Sequence, residues 1–239
     1  MDTNRVHRVL HRGRPRTGKF AAVLAVTALL GAMGAAAGFA GTQDPSSCTI
    51  PTPAFQPFLQ WNDQGNYFLA PGGSFEGAPG KALNGWSTSG KVQISKGSNE
   101  SYYVTSPSDN QSLFLAGGSS ATTPPICLSI HTPNLRFFAQ DNGADSSTLQ
   151  VFINYTGKDG SDQTAQVGSI SAGSSWSLSP SVVFRTQIAP VVGGQDQTSV
   201  SFTFAPSDGS SWQMDDLYID PLKSQDANGW GGGSWGGGW

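Results

Sequence analysis

Charged residues are scarce in this chain of 239 residues, since they make up 12% of it, about half the usual share of a soluble domain. The chain also has 31 glycines and 15 prolines, a composition that disfavours a helical bundle. The charges are uneven, because six of the 13 basic groups precede residue 41 and the remaining chain carries 15 acidic groups against 7 basic ones. That remainder offers no basic surface to a phosphate backbone, which excludes nucleic-acid binding.

Long apolar runs are confined to one place, near the N-terminus. The basic segment Met1–Lys19 is followed by Phe20–Ala40, which has no charged residue and ends in small residues. This order is typical of an export signal. We therefore expect residues 1–40 to be a signal peptide cleaved before Gly41, residues 41–47 to be a short linker, and the protein to be extracellular. An uncleaved membrane anchor is the alternative.

Cysteine and histidine are nearly absent beyond residue 40, where the sequence has only Cys48, Cys127 and His131. Outside the cytosol two cysteines most simply form one disulfide, so we predict a Cys48–Cys127 bond, with two free thiols or a metal pair as alternatives. No Gly-x-Ser-x-Gly motif sits on a strand-turn-helix to accompany the lone histidine, which disfavours a hydrolase triad. No strand carries the alternating acidic residues that would supply a glycosidase pair, so we expect no enzymatic activity.

Short alternating segments fill the predicted domain 48–223, and clusters of Gly, Pro, Asn, Asp and Ser separate them. This spacing predicts an all-β antiparallel sandwich of two sheets, or jelly roll. The predicted strands are Asn66–Ala70, Lys91–Ser95, Ser101–Thr105, Ser112–Ala116, Ile126–Ile130, Asn134–Gln140, Thr148–Tyr155, Gln166–Ile170, Ser181–Ile188, Ser199–Phe204 and Trp212–Ile219. The glycine-rich tail 224–239 is predicted to be disordered, although it carries Trp230, Trp235 and Trp239.

The first and last predicted strands carry a family resemblance. The motif Pro71–Glu76 (PGGSFE) with the Gly-Trp that ends at Trp86, and the closing segment Trp212–Ile219 (WQMDDLYI), resemble galactose-binding-like jelly rolls. By these motifs the chain is similar to the carbohydrate-binding modules of bacterial xylanases and glucanases. The body, notably Leu135–Ala139, also resembles uncharacterised secreted actinobacterial proteins. The resemblance implies a galactose-binding-like jelly-roll fold.

The resemblance also implies a structural calcium ion bound by the opening glutamate and one closing aspartate. The matching residues here are Glu76 and either Asp215 or Asp216. Strict alternation would place Asp215 on the apolar side with Leu217, where a buried carboxylate needs a compensating cation, so we predict Glu76 and Asp215 as ligands. The alternative is that both aspartates accept hydrogen bonds from neighbouring loop amides.

A candidate sugar-binding face follows from the same comparison. Sugars present C–H faces to aromatic rings and hydroxyl groups to planar polar side chains. Alternation turns two sets of three residues away from the apolar side of their strands: Arg136, Phe138, Gln140, Gln150, Phe152 and Asn154. We predict that these six line one polysaccharide-binding face. The alternative is that the two phenylalanines lie under another segment or in a second layer of core.

The sequence therefore predicts a secreted, non-catalytic module that binds polysaccharide or cell-wall glycan, with no nucleic-acid partner and no membrane contact after signal cleavage. A structural envelope or adhesion protein without a sugar ligand is the first alternative. An enzyme acting on polysaccharide is the less favoured one.

Overall fold

Thirteen β-strands and one short 3-10 helix, Leu59–Trp61, make up the regular structure of the described residues. The computed structural model describes residues 55–78, 80–83, 85–129, 134–143, 147–184, 197–207 and 209–220. All of them belong to one unit of the chain, residues 42–239. In chain order the strands are β1 (Phe68–Leu69), β2 (Ser87–Ser89), β3 (Val92–Lys96), β4 (Gln111–Leu115), β5 (Ser120–Thr122), β6 (Ile126–Ser129), β7 (Asn134–Asp141), β8 (Leu149–Thr156), β9 (Asp162–Ile170), β10 (Ser177–Leu178), β11 (Val182–Val183), β12 (Gln197–Pro206) and β13 (Trp212–Asp220).

These strands form two sheets. The seven-stranded sheet has the order β10-β7-β13-β4-β3, with β1 also paired to β13 and β11 to β7. The six-stranded sheet has the order β2-β5-β12-β8-β9, with β6 also paired to β12. The strand pairs of the described residues are antiparallel. The predicted all-β jelly-roll sandwich is therefore confirmed.

The main core is built from the alternate residues that the sequence pattern turned inward. Leu149, Val151 and Ile153 of β8 are fully buried, as are Phe202 and Phe204 of β12. All five belong to one apolar cluster with residues of the seven-stranded sheet. Because each such side chain contributes about 1.5–3 kcal/mol when buried, this cluster holds the sandwich together.

The opening and closing motifs lie side by side. Strand β1 pairs with the end of β13, with Phe68 opposite Ile219. The turn that follows β1 packs against the same strand, since the amide of Leu217 donates a hydrogen bond of 3.0 Å to the carbonyl of Gly73. A Cβ atom on Gly73 would lie 2.8 Å from the carbonyl oxygen of Leu217, so only glycine allows this close approach.

A β-bulge interrupts β13 in its acidic part. The register of β13 against β7 shifts between Asp215 and Tyr218, and Asp216 adopts a φ of 50° in the left-handed region. Asp215 lies opposite Phe138 on the outer face of the seven-stranded sheet, whereas Leu217 belongs to the main core. The expectation that Asp215 shares the apolar side with Leu217 is therefore wrong, because the extra residue of the bulge reverses the alternation.

A second apolar layer covers that outer face, and we call it the outer cluster. Its buried members are Phe58, Tyr67, Phe138 and Tyr218. The first two come from the N-terminal segment 55–67, which folds back through a bridge between Phe55 and Tyr67. The loop 98–110, between β3 and β4, contributes Val104 at its edge. The seven-stranded sheet is thus flanked by the main core on one side and by this cluster on part of the other.

The strand prediction fails in two ways. Ser101–Thr105 is not a strand, because its backbone turns around the side chain of Glu100. Three short strands, β2, β5 and β10, were not predicted. Their residues are mainly serine and threonine, with too little apolar alternation to signal a strand.

Several predictions fall on parts of the chain outside the described residues. These are the signal peptide 1–40, the linker 41–47, Cys48 and the tail 224–239. Cys127 is buried in β6, and its disulfide bond to Cys48 stays a prediction. Within the described ranges no helix is long and apolar enough to cross a membrane.

Candidate functional site

The six residues predicted to line one sugar-binding face lie on two different sheets. Three belong to β7 of the seven-stranded sheet and three to β8 of the six-stranded sheet, namely Arg136, Phe138, Gln140 and Gln150, Phe152, Asn154. Alternate residues of both strands meet in the main core, so their outward residues face opposite sides of the sandwich. The prediction of one continuous face is wrong, because the chain crosses between sheets after β7.

Arg136 is a structural clamp in this fold. Its Nη1 donates a hydrogen bond of 2.7 Å to Oδ2 of Asp63, and its Nε and Nη2 both donate to the carbonyl oxygen of Ser179. The guanidinium also lies 5.2 Å from the ring centre of Phe58, a cation–π contact. All three guanidinium nitrogens thus donate hydrogen bonds, and Arg136 fastens the N-terminal segment 55–67 to β7.

Phe138 is fully buried beneath the outer cluster. The rings of Trp61 and Tyr102 both lie 5.4 Å from its ring, and the ring of Phe58 lies 6.0 Å away. This confirms, for Phe138, the alternative that a second layer covers the phenylalanine. A sugar cannot stack on a ring that is already covered on its outer side.

Gln140, two residues further along β7, lies in a row of residues that crosses the seven-stranded sheet. Cross-strand register places Gln93 beside Phe114, Phe114 beside Gln213, and Gln213 beside Gln140. Trp176 precedes the first residue of β10, whose partner is Ala139, and so comes next to Gln140. We call these five residues the aromatic–amide row.

The row presents two aromatic rings and three amides on the outer side of the sheet, with the adjacent amides of Gln213 and Gln140 at its centre. Gln93 is exposed, and Phe114, Gln140 and Trp176 are half-buried, although Gln213 is largely covered. Gln140 Nε2 donates to Oε1 of Gln213, and Gln213 Nε2 donates to the hydroxyl of Ser95 at 3.1 Å. These hydrogen bonds fix the orientation of the central amides.

Of this row, only Gln140 is among the six residues that the sequence predicts to bind sugar. The other members of the row come from four separate segments of the chain, and only the strand register brings them together. A signal was present in the alternation of Lys91–Ser95 and Ser112–Ala116, which turns Gln93 and Phe114 away from their buried neighbours.

The outward residues of β8 belong to a polar network on the six-stranded sheet. Asn154 Nδ2 donates to the hydroxyl of Thr203 at 2.8 Å, and Asn154 Oδ1 accepts from the hydroxyl of Thr164 at 2.9 Å. Phe152 and Gln150 are half-buried on the same side of the strand. This face therefore has one aromatic ring among hydroxyl and amide groups.

The two predicted calcium ligands are each bound by backbone amides. Glu76 Oε1 accepts from the amides of Asn110 and Gln111 at 2.7 and 2.6 Å. Asp215 accepts from the amides of Glu100 and Asp216 at 3.3 and 2.9 Å, which is the alternative role considered for it. In the described part of the chain, no three His, Cys, Asp or Glu side chains are grouped to hold a metal. Calcium binding stays a prediction, and the ion would need further oxygen ligands from the backbone.

The buried carboxyl groups near the bulge are difficult to ionise together. Burial and the neighbouring charge of Asp216 raise the pKa of Asp215 to about 9. Burial also raises the pKa of Asp216 to about 7, against the hydrogen bond from Thr105 that lowers it. Burial raises the pKa of Glu100 as well. At neutral pH Asp215 therefore favours its protonated form, which burial beside a second carboxylate explains.

Solved structures that resemble this chain include several carbohydrate-binding modules. No protein-family model and no curated protein matches the chain. The CBM22-1 xylan-binding domain from Paenibacillus barcinonensis is 14% identical, with a TM-score of 0.44 over 67% of this chain and 97% of that one. A C-terminal family 22 carbohydrate-binding module of Clostridium thermocellum is 17% identical, with a TM-score of 0.40 over 62% of this chain and 91% of that one. The family 11 module of a cellulosomal cellulase of the same organism is 13% identical, with a TM-score of 0.40 over 66% and 97%.

Proposed function

We propose that this protein is a secreted, non-catalytic module that binds a neutral polysaccharide across the outer face of its seven-stranded sheet. The observation that carries the proposal is the aromatic–amide row, in which Phe114 and Trp176 lie in line with three glutamines. Rings of this kind pack against the C–H faces of sugars, and amides both donate to and accept from hydroxyl groups. The row thus combines the two kinds of contact that sugar recognition uses.

The length of the row suits a chain rather than a single sugar. It crosses four neighbouring strands and ends at the residue that precedes β10, and strands lie about 4.8 Å apart, so its ends are separated by roughly 19 Å. Several units of an extended polysaccharide would lie along it at right angles to the strands.

The row is also uncharged, which favours neutral polysaccharides over those with carboxylate groups. Its five side chains are glutamines, a phenylalanine and a tryptophan. Beyond residue 40 the chain has more than twice as many acidic as basic groups, so its field would repel a polyuronate.

A non-catalytic role is supported by the chemistry of the same surface. Glycosidases hold two carboxyl groups roughly 5–10 Å apart across the scissile bond. The carboxylates nearest to the row in β13 are Asp215 and Asp216, and both are buried and bound to protein donors. They are positioned to hold loops rather than to act on a ligand. The basic and apolar N-terminus supports secretion.

The test is an affinity measurement with the purified chain against xylan, mixed-linkage β-glucan, cellulose, cell-wall preparations and polygalacturonate. Phe114→Ala and Gln140→Ala probe the row, while Phe152→Ala and Gln150→Ala form a matched pair on the six-stranded sheet. We expect the first pair to weaken binding to a neutral polysaccharide about tenfold and the second pair to leave it unchanged, with similar small decreases in melting temperature in the two pairs.

Three other outcomes contradict the proposal in different ways. Loss of binding only in the β8 pair would transfer the site to the six-stranded sheet. Loss on replacing Trp230, Trp235 and Trp239 by alanine would transfer it to the tail. Failure to bind any member of the panel would favour the alternative, a structural envelope or adhesion protein.

A further inference from the structure

The loop 98–110 folds around one buried carboxylate. Glu100 is fully buried, and its Oε1 accepts a hydrogen bond of 2.7 Å from the amide of Val104, while its Oε2 accepts one of 2.5 Å from the amide of Tyr102. Tyr103, between these two donors, has a φ of 51°, in the left-handed region. Two amides of the turn therefore converge on one side chain, an arrangement that a carboxylate stabilises.

Both ends of this turn are fastened to β13. At its start, the amide of Glu100 donates to Oδ2 of Asp215 at 3.3 Å. At its end, the hydroxyl of Thr105 donates to Oδ1 of Asp216 at 2.5 Å and hydrogen-bonds the hydroxyl of Tyr218 at 2.7 Å. The turn is thus held over the bulge, beside the outer cluster.

The turn carries Tyr102 to a defined place next to the aromatic–amide row. The ring of Tyr102 meets the ring of Trp61 edge to face, with centres 4.9 Å apart and planes at 83°. It also lies 5.4 Å from Phe138, which precedes Gln140 by two residues on the same side of β7. Tyr102 remains 41% exposed, so one part of the ring is open to a ligand.

We propose that Glu100 is a positioning residue for carbohydrate binding, because it holds Tyr102 against Trp61 to form an aromatic wall along one side of the row. This inference rests on the proposed function. A sugar unit lying on Gln140 would contact the exposed part of the Tyr102 ring, and the wall would define how the polysaccharide enters the surface.

The geometry requires the carboxylate itself and not only its volume. Glutamine has nearly the same shape, but it offers one acceptor oxygen and turns an NH2 donor toward an amide N–H. One of the two shortest hydrogen bonds is then lost, while Tyr103 still requires the strained left-handed backbone. The turn relaxes and Tyr102 leaves its contact with Trp61.

A double-mutant cycle on polysaccharide affinity tests this role. Tyr102→Ala and Glu100→Gln should each weaken binding about three- to tenfold, the range of one aromatic contact. The affinity of the double variant should equal that of the single variant with the lower affinity, because both changes remove the same wall. Asp159→Asn, which removes a carboxylate that caps a turn on the other sheet, is the control and should bind like the wild type.

The position of Tyr102 can also be tested by NMR without any ligand. Trp61→Phe assigns the indole N–H signal of Trp61 in a nitrogen–proton NMR spectrum, and Tyr102→Ala shifts that signal by removing the neighbouring ring. Glu100→Gln should shift it in the same way. An unshifted signal, additive losses of affinity, or wild-type affinity in Tyr102→Ala would each overturn the inference. If the wild type binds no polysaccharide, the proposed function fails, and the NMR result still decides whether Glu100 positions Tyr102.

Substitutions at the exposed Tyr103 keep the test decisive if Glu100→Gln fails to fold. Glycine adopts a positive φ without strain, so Tyr103→Gly should leave the Trp61 signal in place. The β-branched variant Tyr103→Val resists that backbone conformation and should shift the signal as Tyr102→Ala does. Equal spectra for the two variants would show that the wrapped turn does not set the position of Tyr102.

Discussion

Arg136 Nη1 lies 2.7 Å from Oδ2 of Asp63, and this ion pair joins the N-terminal segment 55–67 to the middle of β7. Asp63 also accepts hydrogen bonds from the hydroxyl of Tyr67 at 2.8 Å and from the amide of Gly65 at 2.9 Å. The segment carries Trp61, which supports Tyr102. A contact at one end of the outer cluster therefore helps to shape the wall beside the aromatic–amide row.

Removing the cation should destabilise the fold. In Arg136→Leu the carboxylate of Asp63 keeps its partly buried place without its charged partner, and the carbonyl of Ser179 loses two donors. We expect the free energy of unfolding in urea to fall by about 1–3 kcal/mol. Arg136→Lys should recover only part of this free energy, because a single ammonium group cannot reproduce the hydrogen bonds that the guanidinium donates to both Asp63 and Ser179. Wild-type stability in Arg136→Leu would contradict the clamp.

The same pair predicts a loss of stability in acid. Burial acts to raise the pKa of Asp63, but hydrogen bonds from Gly65, Tyr67 and Arg136 outweigh it, and the pKa is lowered from 3.8. A depressed pKa means that the ionised form stabilises the fold above the unfolded-state pKa. This contribution is lost as pH falls through the lower folded-state pKa. Urea unfolding between pH 2 and pH 6 should therefore show a decline below about pH 4 that is smaller in Asp63→Asn. Parallel curves of unfolding free energy against pH for the wild type and Asp63→Asn would disprove this contribution of Asp63.

Phe138→Ala should act on stability first and on binding only through it. The side chain is fully buried among aromatic rings, and removing such a ring costs about 3–5 kcal/mol. Any polysaccharide affinity lost in this variant would accompany a lower melting temperature. Phe114→Ala, on the half-buried row, should lose affinity with a smaller change in melting temperature. Retained stability in Phe138→Ala would show that the outer cluster contributes little.

The sequence predicts the sandwich well because alternation is a local property of each strand. In β8 and β12 every second residue is apolar, and those residues are the ones buried between the sheets. The site is harder to predict because it depends on how distant strands pair. Gln93 and Gln213 approach each other only through the register of β3, β4 and β13.

Two errors of the sequence reasoning have definite physical causes. Alternation cannot anticipate a bulge, and one extra residue at Asp216 reversed the face assigned to Asp215. Alternation also cannot tell a strand from a turn wrapped around a side chain, which is why Ser101–Thr105 was misread. In both places an acidic side chain that binds backbone amides determines the local conformation.

Calcium should stabilise the protein if Glu76 contributes to a cation site, as the family resemblance implies. A ligand that binds only the folded state at one hundred times its dissociation constant adds about 2.7 kcal/mol. Thermal unfolding in calcium and in chelator would show the difference as a higher melting temperature with calcium. Glu76→Gln should abolish the difference, because the amide lacks the negative charge that calcium prefers.

The pH dependence of that stabilisation tests whether Asp215 takes part. With a pKa raised to about 9 by burial and by Asp216, the carboxyl group holds a proton at neutral pH, so calcium must displace that proton to bind. The gain in melting temperature should therefore increase from pH 6 to pH 9. Asp215→Asn mimics the protonated acid and should melt like the wild type in chelator, but gain less from calcium. A calcium effect that is independent of pH, or that is undiminished in Asp215→Asn, would remove Asp215 from the site while leaving Glu76 as a candidate.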